Sequence, residues 1–283
     1  MRRLLVALAL IAWMPDALAG EFELPTLRGS DTVVPIAPPP VPVLPMWAGF
    51  YVGGQVGWGV GNMNFDGTTQ PLVAHMLREL RVEYENQVSA WQILGQGDTR
   101  SASGGFFIGY NNAWEGMIIG VDFTWSKVNY FLNAPVSPIS RLTTTSNDLA
   151  YAMTLTGAAN MQITDFGVLR VRAGVDLGNV LPYAGIGFAV GRAGVYRSAT
   201  ASGIEYAPNP LDPPNPIETP FFFTENETKS NAVIYGWSLS GGLDIMLMPC
   251  LFMRAEFEFV NFQPLWNINS SISTGRVGVG YKF

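Results

Sequence analysis

The sequence predicts an all-β fold, an eight-stranded antiparallel up-and-down transmembrane β-barrel with long extracellular loops. Three observations predict it: stretches in which apolar and polar residues alternate, connections of alternating length, and a chain that ends within such a stretch. At that end Val277, Val279, Tyr281 and Phe283 share one face, and the residues between them share the other. Strict alternation indicates a strand between two unlike surroundings, and a strand at the chain's end favours a sheet that closes on itself.

The first 46 residues are predicted to precede the barrel. Arg2 and Arg3 stand before the apolar run 4–14, and Ala17-Leu18-Ala19 follows it, a pattern typical of a secretory signal peptide over residues 1–19. A signal anchor is the alternative, but the run is shorter than the roughly 18 residues that a membrane helix needs. Residues 20–46 are rich in proline and predict a stiff, extended periplasmic leader.

The barrel itself is predicted over residues 47–283. Eight stretches alternate with period 2, near 48–60, 103–111, 116–127, 165–176, 181–193, 232–247, 251–262 and 273–283. Each has roughly the 9–11 residues, or slightly more, that a tilted strand needs to cross a bilayer. The short connections are 112–115, 177–180 and 248–250, and the long ones are 61–102, 128–164, 194–231 and 263–272. Short and long connections in strict alternation indicate an up-and-down barrel with one decorated rim.

The apolar face of the strands is predicted to face lipid. In one strand Met117, Ile119 and Val121 oppose Gly120 and Asp122. The polar faces are mostly Gly and Ser, which suit a crowded lumen better than a water-exposed surface. Large aromatic residues near strand ends predict interfacial girdles: Trp47, Trp58, Trp125, Tyr183, Tyr235 and Phe283. A soluble barrel with its apolar face inside is the alternative.

Ten charged residues fall on the inward face of the predicted strands. They are Asp122, Arg170, Arg172, Asp176, Asp244, Arg254, Glu256, Glu258, Arg276 and Lys282. Side chains nearly fill an eight-stranded barrel, and unpaired charges there are costly, so this balanced set is predicted to pair across the lumen. A structural ion-pair network is the favoured interpretation. A narrow or gated solute path and catalytic carboxylates are the alternatives.

Composition and single residues exclude several classes of function. The chain carries a formal net charge of −6 and only 13% charged residues, which disfavours nucleic-acid binding. Cys250 is the only cysteine, so no internal disulfide forms; a turn residue is the favoured interpretation and a redox role the alternative. His75 is the only histidine, and neither a serine hydrolase pattern nor a ten-stranded protease with an Asp/His dyad is found. The sequence therefore predicts no enzyme, no cofactor and no metal site.

Several motifs resemble a known family. They are Trp47–Gly54 (WAGFYVGG), Arg170–Gly174 (RVRAG), Leu181–Gly187 (LPYAGIG), Ala255–Phe257 and Gly278–Phe283 (GVGYKF). Together they resemble the alphaproteobacterial outer-membrane β-barrel family of rhizobial, Brucella and Bartonella surface antigens and haemin-binding porin-like proteins. The resemblance implies an OmpA-like barrel in the bacterial outer membrane. It also implies that the assembly machinery reads Val277, Val279, Tyr281 and Phe283 as an insertion signal.

Two of the long connections have distinctive patterns. Residues 71–94 carry apolar side chains at helical spacing, which predicts a short amphipathic helix on the barrel rim or the outer leaflet. As an alternative role for this segment, His75 and Tyr84 could form a haem ligand pair. Residues 206–223 contain six prolines and Phe221-Phe222-Phe223, which predicts a stiff projecting loop with an apolar patch.

These patterns together predict a structural, surface-exposed protein of the bacterial outer membrane with a largely plugged, charge-paired lumen. A narrow porin-like channel for small solutes is one alternative, and binding of haemin or a host surface through the loops is another. The expected partners are outer-membrane lipid, lipopolysaccharide and the barrel assembly machinery, with a small solute or host ligand under the alternatives and no nucleic acid.

Overall fold

The computed structural model describes residues 46–212 and 214–283. The predicted signal peptide, and the leader as far as residue 45, lie outside the described residues. Among the residues described, no helix has the length and apolar character required to cross a membrane.

The elements of the described chain are nine strands, two short α-helices and one 3-10 turn. The strands are β1 (Gly49–Asn64), β2 (Gln96–Trp114), β3 (Met117–Asn133), β4 (Ile139–Thr144), β5 (Ala150–Val175), β6 (Val180–Ala207), β7 (Ile217–Met248), β8 (Leu251–Leu265) and β9 (Ile268–Lys282). The helices are α1 (Gln70–Met76) and α2 (Arg81–Asn86), and the 3-10 turn is Val88–Ala90.

Eight of these strands form one closed antiparallel ring. Its order is β1-β2-β3-β5-β6-β7-β8-β9, and β9 pairs with β1 from Tyr51↔Lys282 to Asn64↔Asn269. Phe283 donates its backbone N–H to the carbonyl of Phe50, 2.9 Å away, so the seam is paired to the end of the chain. The eight-stranded barrel is confirmed. The ninth strand, β4, lies beside the ring and pairs only with the first residues of β5.

Connections at one end of the barrel are all short, and we call this the short-turn end. Glu115 and Gly116, both with positive φ, join β2 to β3 in a two-residue turn. We call the opposite end the loop end. There, the prediction of a long connection over residues 263–272 is wrong. Trp266 and Asn267, also with positive φ, make a two-residue turn there, so the strands continue through the predicted loop.

Strands β5, β6 and β7 extend well beyond the ring at the loop end. With β4 they form a four-stranded sheet, the arm, defined as residues 139–144, 150–163, 195–207 and 217–229. Most of the predicted loop 194–231 is therefore a paired hairpin, and only residues 208–216 connect its strands. Phe221 and Phe223 face inward and stack at 5.8 Å, whereas Phe222 faces outward, so the predicted apolar patch is divided between two faces.

Residues 65–95, the cap segment, pack against the inner face of the arm. The predicted helix exists, but it is broken into three pieces. Leu80 takes an extended conformation between α1 and α2, and Gln87 takes a left-handed conformation between α2 and the 3-10 turn. Val73, Leu77 and Val88 are fully buried, as the spacing predicts, whereas Tyr84 is 87% exposed. The segment thus lies within the opening of the arm rather than on its outer surface.

The outward face of the ring is a broad apolar band. Its exposed members include Phe50, Val56, Trp58, Phe106, Val121, Leu169, Ile186, Phe188, Tyr235, Trp237, Leu239, Phe257, Val277 and Phe283. The prediction that Trp47 and Tyr183 belong to the interfacial girdles is wrong, because these side chains are buried, at 2% and 6% exposed. Tyr183 has the inward parity of Leu181 on β6, and Trp47 precedes β1 and folds into the barrel opening.

Candidate functional site in the barrel lumen

The charged residues of the lumen come from five strands at matching positions of the pleat. Asp122 lies on β3, Arg170 and Arg172 on β5, Asp244 on β7, Arg254, Glu256 and Glu258 on β8, and Arg276 on β9. All eight side chains are at most 2% exposed. Because side chains two residues apart share one face of a strand, alternation alone aims all of them into the barrel.

These eight side chains form one continuous chain of ion pairs. At one end, Arg172 Nη2 lies 2.9 Å from Asp244 Oδ2, and Asp244 Oδ1 accepts from Arg254 Nε at 2.9 Å. Arg254 Nη1 then reaches Asp122 Oδ2 at 2.9 Å.

The chain continues from Asp122 through Arg170. Arg170 Nη2 lies 2.9 Å from Asp122 Oδ1 and 2.6 Å from Glu256 Oε2, and its Nη1 lies 3.3 Å from Glu258 Oε1. Arg276 closes the other side of the two glutamates, at 2.5 Å from Glu256 and 2.6 Å from Glu258. Four arginines thus alternate with four carboxylates and neutralise them, which offsets the cost of burying the charges.

Uncharged polar side chains complete the network, and sequence reasoning missed them. Tyr51 donates to Asp122 at 2.7 Å, and Tyr183 donates to Glu256 at 2.6 Å. Asn111 accepts from Arg172 Nε at 3.1 Å, and Ser126 accepts from Arg276 at 3.3 Å. Strand parity could have found Tyr51, because it stands between Gly49 and Gly53 on the inward face of β1.

Two of the ten predicted lumen charges lie outside the network. Asp176 comes just after β5 and accepts from the backbone N–H of Gly178, 2.9 Å away, as a turn residue does. Lys282 ends β9 and donates to the carbonyl of Ala48 at 2.9 Å. Both have inward parity, but they lie past the charged layer at the short-turn end, where no opposite charge of the network reaches them.

An aromatic cluster lies between the charged layer and the short-turn end. It comprises Trp47, Tyr51, Phe107, Ile118, Leu181 and Phe252, all at most 2% exposed. Trp47 donates its indole N–H to the carbonyl of Gly178 at 2.7 Å, and its own carbonyl accepts from Asn111. Trp47, just before β1, is thereby fixed across the opening of the barrel.

A larger apolar cluster lies between the charged layer and the loop end. It joins inward residues of the strands, such as Tyr130, Met161 and Phe166, to Val73 and Leu77 of the cap segment. The cap segment comes close to β5 at Gly157, where an added Cβ would lie 2.9 Å from Ile93 Cδ1. Sequence reasoning missed this layer, since several of its strand residues, such as Tyr130 and Met161, lie within connections that were predicted as loops.

Polar contacts hold the cap segment to the arm. Arg197 donates to the carbonyl of Thr68 at 2.7 Å and to Glu227 at 2.6 Å, and its guanidinium lies over the Trp266 ring. Glu85 on α2 accepts from Ser146 in the β4–β5 turn, from the backbone N–H at 2.8 Å and from the hydroxyl at 2.6 Å.

The hydrogen bonds to Glu85 also shift its titration. Ser146 is the largest cause, and Arg81, which donates to the same carboxylate at 2.7 Å, adds to it. Together they lower the pKa of the Glu85 carboxyl from 4.5 to about 2. The carboxylate is therefore charged across the physiological range and keeps both bonds to Ser146.

The remaining candidate residues do not assemble into a reactive site. His75 contacts Glu225 at 3.1 Å and Arg78 at 2.6 Å, and Tyr84 is not among its partners. Among the described residues, no group of His, Cys, Asp and Glu side chains is arranged to hold a metal ion. Cys250 is exposed in the β7–β8 turn, where its carbonyl accepts from the N–H of Lys282. Haemin binding stays a prediction from the resemblance.

The carboxy-terminal face is arranged as the alternation predicts. Val277, Val279 and Tyr281 point outward from β9 and are 55%, 51% and 50% exposed, and Phe283 beyond it is 74% exposed. The Tyr281 and Phe283 rings contact edge to face at 5.2 Å. This face is continuous with the outward apolar band.

Comparisons with known proteins find similar structures only. No model of a protein family matches the sequence. No curated protein matches it either. Neisserial surface protein A is 14% identical, with 83% of this chain and 98% of that one covered and a TM-score of 0.38.

Two further solved structures are similar in the same way. Ail, the attachment invasion locus protein of Yersinia pestis, is 13% identical over 83% of this chain and 99% of its own, with a TM-score of 0.32. The outer membrane protein OprG of Pseudomonas aeruginosa is 10% identical over 83% and 96%, also with a TM-score of 0.32. At these scores the likeness says nothing about function.

Proposed function

We propose that this protein spans the bacterial outer membrane as a structural, surface-exposed barrel whose lumen is plugged. The observation that carries the proposal is the inverted distribution of polarity: large apolar side chains cover the outside of a closed ring, while charged side chains are buried inside it. In water this arrangement would expose an apolar surface far larger than soluble monomers tolerate. In lipid it is the stable one, because a closed ring leaves no strand edge unpaired.

The plug rests on three layers of side chains along the barrel axis. The aromatic cluster, the ion-pair chain and the apolar cluster with the cap segment follow one another from the short-turn end to the loop end. Each layer contains residues that are at most 2% exposed, such as Phe107, Arg170 and Val73. A solute crossing the lumen would have to displace all three layers.

Conductance of the refolded protein in planar bilayers tests the plug. We expect no single-channel steps from the native protein, because its three layers remain in place. Conductance is also compared between two matched variants. Arg170→Ala/Arg276→Ala removes two side chains of the charged layer, whereas Asp176→Ala removes a charge outside that layer. Regular steps from the native protein would contradict the plug and support a narrow channel.

Heat-modifiable migration in gels tests the barrel and its insertion separately from the plug. A closed transmembrane barrel resists detergent until it is boiled, so the unboiled and boiled forms should migrate differently. Identical migration after refolding into vesicles would count against a membrane barrel, whatever the conductance. We propose no enzymatic role and no cofactor.

We also propose that Val277, Val279, Tyr281 and Phe283 are read by the barrel assembly machinery. Their continuous outward apolar face supports this, since it stays available at the end of the last strand. Deleting Phe283 should lower the share of protein in the outer-membrane fraction, while Phe283→Trp, which keeps an aromatic ring, should not. Equal membrane fractions for both variants and the native chain would refute the proposal.

A further inference from the structure

A polar cleft and an apolar groove adjoin each other on the outer wall of the barrel, along β1, β8 and β9. The polar cleft has a volume of about 560 Å³ at the loop end. Its outward lining consists of amide, hydroxyl and carboxylate side chains: Asn62, Asn64, Gln96, Asp98, Asn261, Asn269 and Ser271. The apolar groove has a volume of about 700 Å³ and lies within the apolar band.

The strand register shows that the cleft residues form two rows on the outward face. Asn62 pairs with Asp98 on one side and with Ser271 on the other, and Ser271 pairs with Asn261. Asn64 likewise pairs with Gln96 and Asn269. Directly opposite residues on neighbouring strands share a face, so these side chains converge on the same patch of the wall.

The amides of this cleft are largely without partners within the protein. Among the described residues, only Asn64 makes a side-chain hydrogen bond, accepting from the backbone N–H of Asp66 at 2.9 Å. Asn62, Gln96, Asn261 and Asn269 have none. An amide offers two donors and an acceptor, which complements the hydroxyl and acylamino groups of a sugar.

The apolar groove runs along the same strands toward the membrane centre. Trp58, Phe257 and Val277 form its walls, and Gly275 and Ala255 its floor. Gly275 pairs with Trp58 and with Phe257, and no atom lies within 4 Å of the position that a Cβ on Gly275 would take. Gly275 follows Ser271 of the cleft by four positions, about 13 Å along the strand.

The positively charged side chain of Arg100 lies at a height between the polar cleft and the apolar groove. Arg100 pairs with Val60, one row below the cleft, and its outward side chain is exposed with no ion-pair partner among the described residues. An acylated sugar with a phosphate at the junction of sugar and acyl chain would present an anion at this height. Guanidinium groups bind phosphate well because their N–H groups match its oxygens.

We propose that the cleft and groove together bind one phosphorylated glycolipid of the outer leaflet, a molecule of the lipid A class. Its sugar lies among the cleft amides, its phosphate near Arg100 and an acyl chain in the groove over Gly275. This inference rests on the proposed function, because only a barrel in the outer membrane meets that lipid at this height.

Native mass spectrometry of the refolded protein with added lipid A tests the proposal. We expect one lipid A to be retained per barrel, and about ten-fold weaker retention in Asn62→Ala/Asn261→Ala, which removes two amides. Gly275→Leu should weaken retention similarly by filling the groove. The matched controls are Gly194→Leu, an outward glycine with equally open space on β6, and Asn112→Ala at the short-turn end. Both controls should retain lipid A as the native protein does.

Three outcomes overturn the proposal. Equal retention in the cleft, groove and control variants would show that no specific site exists. Equal retention of phosphatidylglycerol would identify the site as ordinary contact with anionic lipid, and equal binding of delipidated polysaccharide would identify a sugar site without a lipid part. Heat-modifiable migration is recorded for every variant. A native chain that never reaches the heat-modifiable form would refute the proposed function and this inference together. A folded barrel whose native, cleft and groove variants all retain lipid A equally would refute the inference alone.

Discussion

At the scale of single residues, the lumen shows how buried charges stay compatible with a fold. Arg170 is the most connected of them, since it contacts Asp122, Glu256 and Glu258. Removing one partner of a buried pair leaves the other charge without compensation, which costs far more than the pair contributes in total. The layer is therefore sensitive to any single neutralisation, although its net charge is zero.

We expect Arg170→Met to lower the free energy of unfolding by about 3–5 kcal/mol, because the three carboxylates that Arg170 contacts then lose one buried positive charge. The measurement is the urea midpoint of the refolded barrel in detergent. Asp176→Asn is the control: it keeps the turn hydrogen bond outside the network and should change stability by no more than about 0.5 kcal/mol. Equal midpoints for the two variants would show that the ion pairs contribute little.

At the scale of elements, the parts that sequence reasoning misjudged are those with weak contrast between the two faces of a strand. In β6, inward Ala199 and Ala201 alternate with outward Ser198 and Thr200, so the pattern lacks the large side chains that mark the strands of the ring. The arm was therefore predicted as a loop. The cap segment was recognisable from its helical spacing, but its packing inside the arm depends on residues far apart in the chain.

The contact between α2 and the β4–β5 turn should weaken in acid. The pKa of Glu85 is about 2 in the folded protein against 4.5 for the free group, so its contribution is fully present above about pH 4.5. It is lost as the pH falls from there toward 2. We expect NMR to show that the protection of the Ser146 amide against hydrogen exchange, corrected for the intrinsic rate, falls between pH 6 and pH 3.

Glu85→Gln is the control for this titration. The amide keeps an acceptor but cannot ionise, so protection of Ser146 in this variant should be lower at pH 6 and should not change further in acid. A variant that loses protection in acid to the same extent as the native protein would assign the effect to another group.

At the scale of the whole molecule, strand parity accounts for most of what the sequence could predict. The eight strands of the ring and eight of the ten lumen charges follow from period 2 alone, as Asp122 between Val121 and Phe123 illustrates. Parity cannot say how far a side chain lies along the barrel axis. Asp176 and Lys282 were for that reason assigned to a layer that they do not reach, and Trp47, outside any strand, was placed on the wrong surface.

The surroundings of the outward face decide between a membrane barrel and a soluble one, and a charge placed there distinguishes them. Leu239 lies in the middle of the apolar band on β7, and Thr228 lies on the outward face of the arm on the same strand. In a bilayer, Leu239→Arg should cost about 2–4 kcal/mol, whereas Thr228→Arg should change stability little. In water neither change would matter, since both positions would be solvated. The measurement is the unfolding free energy of each variant refolded into lipid vesicles, and equal values for the two arginines would place the band outside the hydrocarbon.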